Sequence, residues 1–199
     1  MMKLVIFDLD DTLVSMDVDW AKVKSEIIAL AGREGVELNP ADHLIIISNL
    51  VASKPGLKKK VDEIYRKNEA GTVLKKSYVV YPDMIALVRE LRKRRIKLGI
   101  ASGNHSRNIE EILRHLGLDK HFDVVCGRDR ITLNKPYPDQ ITYIIRKTKI
   151  SRRFTIFIGD SMYDEQAAKA AGVSFFKVEK GGTKDTTKIR EAIGLFEEE

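Results

Sequence analysis

A single cysteine, a single tryptophan and no long apolar run set the first limits on this 199-residue chain. The lone Cys126 cannot close an intramolecular disulfide, which suits a reducing compartment. It follows Val124 and Val125 and is therefore expected as a small strand residue, not a catalytic thiol. No stretch approaches the ~20 apolar residues of a membrane-spanning helix. The opening Met1-Met2-Lys3-Leu4 leads straight into a strand and then acid, without the layout of a signal peptide. A cytoplasmic protein with no membrane partner is the resulting expectation. The histidines His43, His105, His115 and His121 show no metal-ligand spacing among themselves.

What is present suits a globular chain able to hold one core plus a small accessory domain, with 43% hydrophobic and 32% charged residues. The net charge of +6 permits nucleic-acid binding without requiring it. The densest basic run, Arg89 to Arg95, falls at the end of a predicted helix, where cations suit the dipole. No aromatic residues interleave with it for base stacking, so no nucleic-acid partner is expected. Lys58-Lys59-Lys60 reads as a solvated helix face, and Trp20 as a core residue at helical spacing.

Two textures divide the chain. Residues 15–80 carry helical periodicity, first in Trp20, Val23, Ile27 and Leu30, then in a helix expected to start at Asn39-Pro40 with Asp42 and to run through Leu44 to Val51, then from Leu57 through Val61, Ile64 and Tyr65. Gly71 is expected to interrupt the third helix, and no strand signal is evident in the block. A connection of this length usually has a function of its own. From Pro82 onward helices alternate with apolar strands at 96–101, 122–126, 154–158 and 173–178. A last helix is expected over 184–196, with Glu197-Glu198-Glu199 frayed. Together with the strand at Lys3–Phe7, this pattern argues a parallel sheet covered on both faces, with ligands at the carboxyl ends of its strands.

Polar residues follow four of those strands. The first strand ends in Asp8-Leu9-Asp10-Asp11, three carboxylates in four residues. Taken alone this also suits a polar loop closing a strand, but adjacent buried acids must be paired or neutralised, and hard oxygen ligands suit Mg²⁺. The second strand supplies Ser102-Gly103-Asn104, Lys135-Pro136 follows the third, and Gly159-Asp160-Ser161 with Asp164 follows the fourth. Together these are the parts of a phosphoryl-transfer site. Carboxylates can hold a metal, attack phosphorus and move a proton. A lysine, a hydroxyl and the free amides of a helix start can hold phosphate oxygens.

The order Asp8-Leu9-Asp10-Asp11-Thr12, Ser102, Lys135-Pro136-Tyr137-Pro138 and Gly159-Asp160-Ser161-Met162-Tyr163-Asp164 resembles the haloacid dehalogenase superfamily. It looks most like the phosphoglycolate phosphatase and β-phosphoglucomutase branch. The resemblance implies an α/β fold: a three-layer Rossmann-like parallel-sheet core (residues 1–14 and 81–199) with a small all-helical cap inserted at 15–80. It implies Asp8 as the nucleophile that forms an aspartyl-phosphate, and Asp10 as the acid and base. Mg²⁺ would be held by Asp8, the Asp10 backbone carbonyl and Asp160, with Asp164 as an alternative ligand or a group backing the ligands. Ser102 and Lys135 would grip the phosphoryl group, with the amides of Leu9 and Gly103. The dehalogenases of the superfamily lack the second acid of the first motif, so Asp10 favours phosphate chemistry: an alkoxide leaving group needs a proton and a halide does not. Asp11 stands where glycine is common in this branch. The implied activity is a Mg²⁺-dependent phosphatase of a small phosphorylated metabolite. The alternatives are a phosphomutase and a binding protein that keeps the fold without turnover.

Overall fold

The protein is described from a computed structural model that covers residues 2–181 and 184–195. Strand β1 (Leu4–Phe7) is buried at every position, as its unbroken apolar sequence requires. It lies at the centre of a five-stranded sheet whose order is β5-β4-β1-β6-β7. The flanking strands are β4 (Lys97–Ala101), β5 (Val124–Cys126), β6 (Thr155–Gly159) and β7 (Ser174–Lys177), and all pairings are parallel. The order reverses at β1, so β4 and β6 flank it in the same register: Phe7 aligns with Ile100 on one side and Ile158 on the other. Three strand ends are thereby brought side by side.

Alternation along β1 builds the two outer layers. Val5 and Phe7 face one cluster with Leu87, Val88 and Leu91 of α4 (Pro82–Lys93) and Ile109, Ile112 and Leu113 of α5 (Ser106–His115). Ile189 and Ile193 of α8 (Thr186–Ile193) join them. Leu4 and Ile6 face the other cluster, with Ile141 and Ile144 of α6 (Asp139–Thr148) and Ala167, Ala168 and Ala171 of α7 (Met162–Ala171). Gly99 lets α6 approach β4 closely, because a Cβ there would sit 2.7 Å from Ile144 Cγ2.

Between β1 and α4 the chain leaves the sheet for α1 (Trp20–Arg33), α2 (Leu44–Ala52) and α3 (Lys58–Lys75). Asp19 caps α1 by accepting from the Lys22 amide at 2.9 Å, and Val23, Ile27, Leu30 and Ala31 form its buried stripe. Several elements depart from the sequence expectation. A short antiparallel ribbon, β2 (Val14–Met16) with β3 (Tyr78–Val80), stands at the base of the insertion. Three residues per strand carry too little alternation to register as a strand pattern. Helix α3 also continues through Gly71, because the turn beyond it is anchored: Val73 is buried, and the Thr72 hydroxyl donates to the Asp17 carbonyl at 2.8 Å. The sequence reading extended α8 to residue 196, but the helix ends at Ile193 with Gly194 as its left-handed cap; the tail Glu197-Glu198-Glu199 lies outside the described residues. Among the described residues, no helix is long and apolar enough to cross a membrane.

Candidate active site

The first strand end is shaped by a tight turn. Asp8 continues the ladder by donating its amide to the Ile158 carbonyl at 2.9 Å, and its residue is only 6% exposed. The Leu9 carbonyl then accepts from the amides of Leu13 and Val14 at 2.9 and 3.1 Å, folding the chain back on itself. The turn needs a left-handed residue at Asp11, with φ of 55°, a conformation aspartate tolerates better than bulkier side chains. Asp11 also has polar partners that glycine would lack. Its carboxylate accepts from Ser15 Oγ at 2.6 Å and pairs with Lys180 at 2.7 Å. Asp10 is held from beyond the turn, its Oδ1 accepting from the Met16 amide at 2.8 Å.

The other strand ends contribute in turn. Ser102 follows β4; its amide donates to the Cys126 carbonyl at 3.2 Å and its Oγ accepts from the Asn104 amide at 3.1 Å. Asp160 follows β6, and Ser161 and Asp164 form a reciprocal capping box at the start of α7. Asp164 Oδ2 accepts from the Ser161 amide and hydroxyl at 3.0 and 2.6 Å. Glycine is required at 159, since a Cβ there would lie 2.6 Å from Asp164 Cγ. Lys135 reaches in from the loop before α6, with Nζ 2.9 Å from Asp8 Oδ1 and 2.5 Å from Asp164 Oδ1. Its loop is tied to the insertion through Asn49, whose amide group donates to the carbonyls of Asn134 and Lys135 at 3.1 and 3.3 Å.

Three carboxylates around one cation leave an excess of negative charge. Burial raises the Asp8 pKa well above its ordinary value, Lys135 opposes this, and Asp164 and Asp160 add to it. Burial also raises Asp160, and it pushes Asp10 up to about 7 against the Met16 hydrogen bond. For Lys135 burial disfavours the charge, but Asp164 and Asp8 outweigh it and its pKa is raised. Oxygen atoms of Asp8, Asp160 and Asp164 all lie within 4.8 Å of one another. Clustered hard oxygen donors with unbalanced charge fit a divalent cation.

Six of the eight residues expected at the site, Asp8, Asp10, Ser102, Gly103, Lys135 and Asp160, line one cavity of ≈ 520 Å³. Leu9 and Asp164 stand behind it, Leu9 with its side chain in the core and Asp164 against Lys135. The opposite wall comes from the insertion: Trp20, His43, Leu44, Ile45, Ser48 and Tyr65. Trp20 packs against the core as its helical spacing implies, but it is only half-buried and also lines the cavity, 6.4 Å from the Tyr65 ring between centroids. His43 stacks on Tyr163 at 4.9 Å and caps α2, its Nδ1 accepting from the Ile45 amide at 3.3 Å. Residues 40–42 form a turn and α2 starts only at Leu44, later than the expected start at Asn39-Pro40; histidine is not a preferred N-cap residue, and nothing local marks His43 as facing a cavity. Lys58 is not a solvated lysine: it pairs with Asp62 at 2.6 Å and donates to the Arg128 carbonyl at 3.0 Å.

A family model described as haloacid dehalogenase-like hydrolase matches residues 5–178. The phosphoglycolate phosphatase of Pseudomonas putida is 26% identical over 182 residues, spanning 86% of this chain and 67% of that protein. The phosphoglycolate phosphatase of Escherichia coli K12 is 30% identical over 116 residues, 58% of this chain and 44% of its own length. This chain therefore spans about two thirds of the first relative and less than half of the second. In structure, CbbY from Rhodobacter sphaeroides in complex with phosphate aligns with a TM-score of 0.66 at 19% identity, over 92% of this chain and 88% of that one. A subfamily IA hydrolase of the same superfamily from Geobacter sulfurreducens aligns with a TM-score of 0.62 at 21% identity, over 97% of both chains.

Proposed function

The chain belongs to the haloacid dehalogenase-like hydrolases and is similar to their phosphoglycolate phosphatases, and from this premise we propose that it is a Mg²⁺-dependent phosphatase of a small phosphorylated metabolite. The observation that supports this most is the convergence of Asp8, Asp160 and Asp164 within 4.8 Å, with Lys135 Nζ 2.9 Å from Asp8.

Asp8 attacks phosphorus through a carboxylate oxygen, forming an aspartyl-phosphate as the ester P–O bond breaks. Asp10 gives its proton to the departing alkoxide; burial, which lifts its pKa to about 7, lets it carry that proton near neutrality. The Asp10 carboxylate then takes a proton from water, whose oxygen attacks phosphorus, releases inorganic phosphate and restores Asp8. Lys135 balances the charge of Asp8 and of the phosphoryl oxygens. Ser102 and the amide of Gly103 hold those oxygens in place. Asp8, the Asp10 carbonyl and Asp160 are the groups that would hold Mg²⁺, which when bound supplies further charge neutralisation. Asp164, engaged by Ser161 and Lys135 through both oxygens, acts by positioning Lys135.

Residues 15–80 form the cap in this reading and residues 1–14 with 81–199 the catalytic core. Trp20, His43, Ser48 and Tyr65 wall the space left for the leaving group and keep bulk water from it. A panel of phosphate esters assayed for phosphate release, with Mg²⁺ and with chelator, tests the proposal. Metal-dependent release from at least one small ester is expected, and none across the panel contradicts it. Isomerisation of a sugar phosphate without phosphate release would point to a mutase instead.

A further inference from the structure

Arg128 lies outside the reacting groups, yet it is the largest fully buried side chain among the described residues and its charge is shut off from bulk solvent. It follows β5 in a single 3₁₀ turn, Arg128–Arg130. Its guanidinium faces the cap. NH1 and NH2 pair with both carboxylate oxygens of Glu69 on α3, at 2.7 and 2.8 Å, and the Glu69 side chain is 1% exposed. The fork is bidentate, and Asn108 donates to the same carboxylate at 3.1 Å. The guanidinium also lies 4.4 Å from the centroid of the Tyr65 ring, which lines the cavity.

The same NH1 donates to the Gly103 carbonyl at 2.5 Å. That carbonyl shares its peptide plane with the Asn104 amide, which donates to Ser102 Oγ at 3.1 Å. The Arg128 main chain is tied to the same loop, its amide donating to the Asn104 carbonyl at 3.0 Å. One guanidinium therefore fixes the peptide that orients the phosphate-gripping serine, and joins it to a cap helix. A buried ion pair is weak evidence for stability, since apolar replacements of equal volume are often as stable. Its value here lies in what it connects.

We propose that Arg128 and Glu69 form a positioning pair that couples the docking of cap helix α3 to the geometry of the phosphoryl grip at Ser102 and Gly103. The inference rests on the phosphatase reading of the cavity. Neither residue lines the cavity; both act through Gly103, Ser102 and Tyr65. Arg128→Lys keeps the charge but cannot make the fork, reach Gly103 and cover Tyr65 at once. Glu69→Gln keeps the shape of its partner while removing the charge.

Trp20 is the only tryptophan of the chain and lines the cavity, so its emission reports the seating of the cap. The test measures inorganic phosphate binding by calorimetry in Mg²⁺, Trp20 emission, and KM and kcat for whichever ester the wild type hydrolyses. Arg128→Lys is expected to weaken phosphate binding and raise KM by about tenfold, the weight of one charge-assisted hydrogen bond. Its kcat should change less than KM, and its Trp20 emission should shift to the red before ligand is added. Glu69→Gln should move the same readouts in the same direction by less, and it decides the matter should Arg128→Lys fail to fold. A folded variant with wild-type phosphate affinity, KM and emission overturns the coupling and leaves the pair as packing only. A wild type that binds no phosphate and hydrolyses no ester overturns the phosphatase reading, and the coupling with it.

Discussion

Removing the positive charge at Lys135 isolates the electrostatic logic of the site. In Lys135→Met the chain keeps a similar stem but loses the cation that stands 2.9 Å from Asp8 and 2.5 Å from Asp164. At an effective dielectric of about 20, each of those contacts is worth roughly 6 kcal/mol of Coulomb attraction. Much of that is offset, because the lysine no longer has to be desolvated. Buried pairs broken on one side lose about 3–5 kcal/mol in practice. For a chain of this size that corresponds to a melting point lower by about 6–20 °C. The three carboxylates within 4.8 Å of one another would then repel without a counter-charge. Divalent metal should therefore raise the melting temperature of the variant by more than it raises that of the wild type. Thermal melts followed by circular dichroism, in chelator and in Mg²⁺, check both halves. A variant that melts in chelator within about 2 °C of wild type refutes a stabilising role for the Lys135 charge.

Two further perturbations probe the frame around the site. Gly159→Ala places a methyl 2.6 Å from Asp164 Cγ, so Asp164 must leave Ser161 or Lys135. The expected loss is about 1–3 kcal/mol with slower phosphate release as Lys135 loses its positioning partner, and an unchanged melt with unchanged release would exclude the clash. Asp123 accepts from Lys97 Nζ at 2.8 Å, the Leu98 amide at 3.0 Å and Arg92 at 3.2 Å. Burial works to raise its pKa, but these donors outweigh it and hold it below the ordinary value. A depressed folded pKa stabilises fully above the unfolded value of about 3.9, and that stability is lost as pH falls through the folded value. Asp123→Asn should therefore cost about 1–2 kcal/mol at neutral pH, with the gap to wild type closing only below about pH 4 in urea titrations. A gap that stays constant into acid would show that the charge of Asp123 is not what stabilises.

The core was legible because its signals are local and strong. Apolar runs such as Ile156-Phe157-Ile158 can hardly be anything but buried strands, and Asp8, Ser102 and Asp160 each stand just past such a strand, whereas Lys135 comes from a loop further on. Six of the eight expected residues line one cavity because parallel strands with a reversal at β1 leave their carboxyl ends side by side. The cap wall was illegible for the opposite reason. Trp20 and Tyr65 have the spacing of core positions, and only the packing of three helices over the sheet turns them toward the cavity. Arg128 and Glu69 are 59 residues apart and each sits among other charges, so their pairing has no sequence signature. Asp11 shows a middle case: its departure from glycine is visible in the sequence, but its left-handed backbone and its partners Ser15 and Lys180 are not.

The proposed mechanism requires that Asp8 carry the phosphoryl group during turnover. It is tested most directly by mixing the protein with Mg²⁺ and a labelled ester from the panel, quenching in acid within the first turnover, and mapping the label by peptide mass spectrometry. Phosphate is expected on the peptide bearing Asp8, labile to hydroxylamine, and none on Asp8→Asn, which should also release no phosphate. Turnover by Asp8→Asn at the wild-type rate, or label found on any other residue of the wild type, would contradict it.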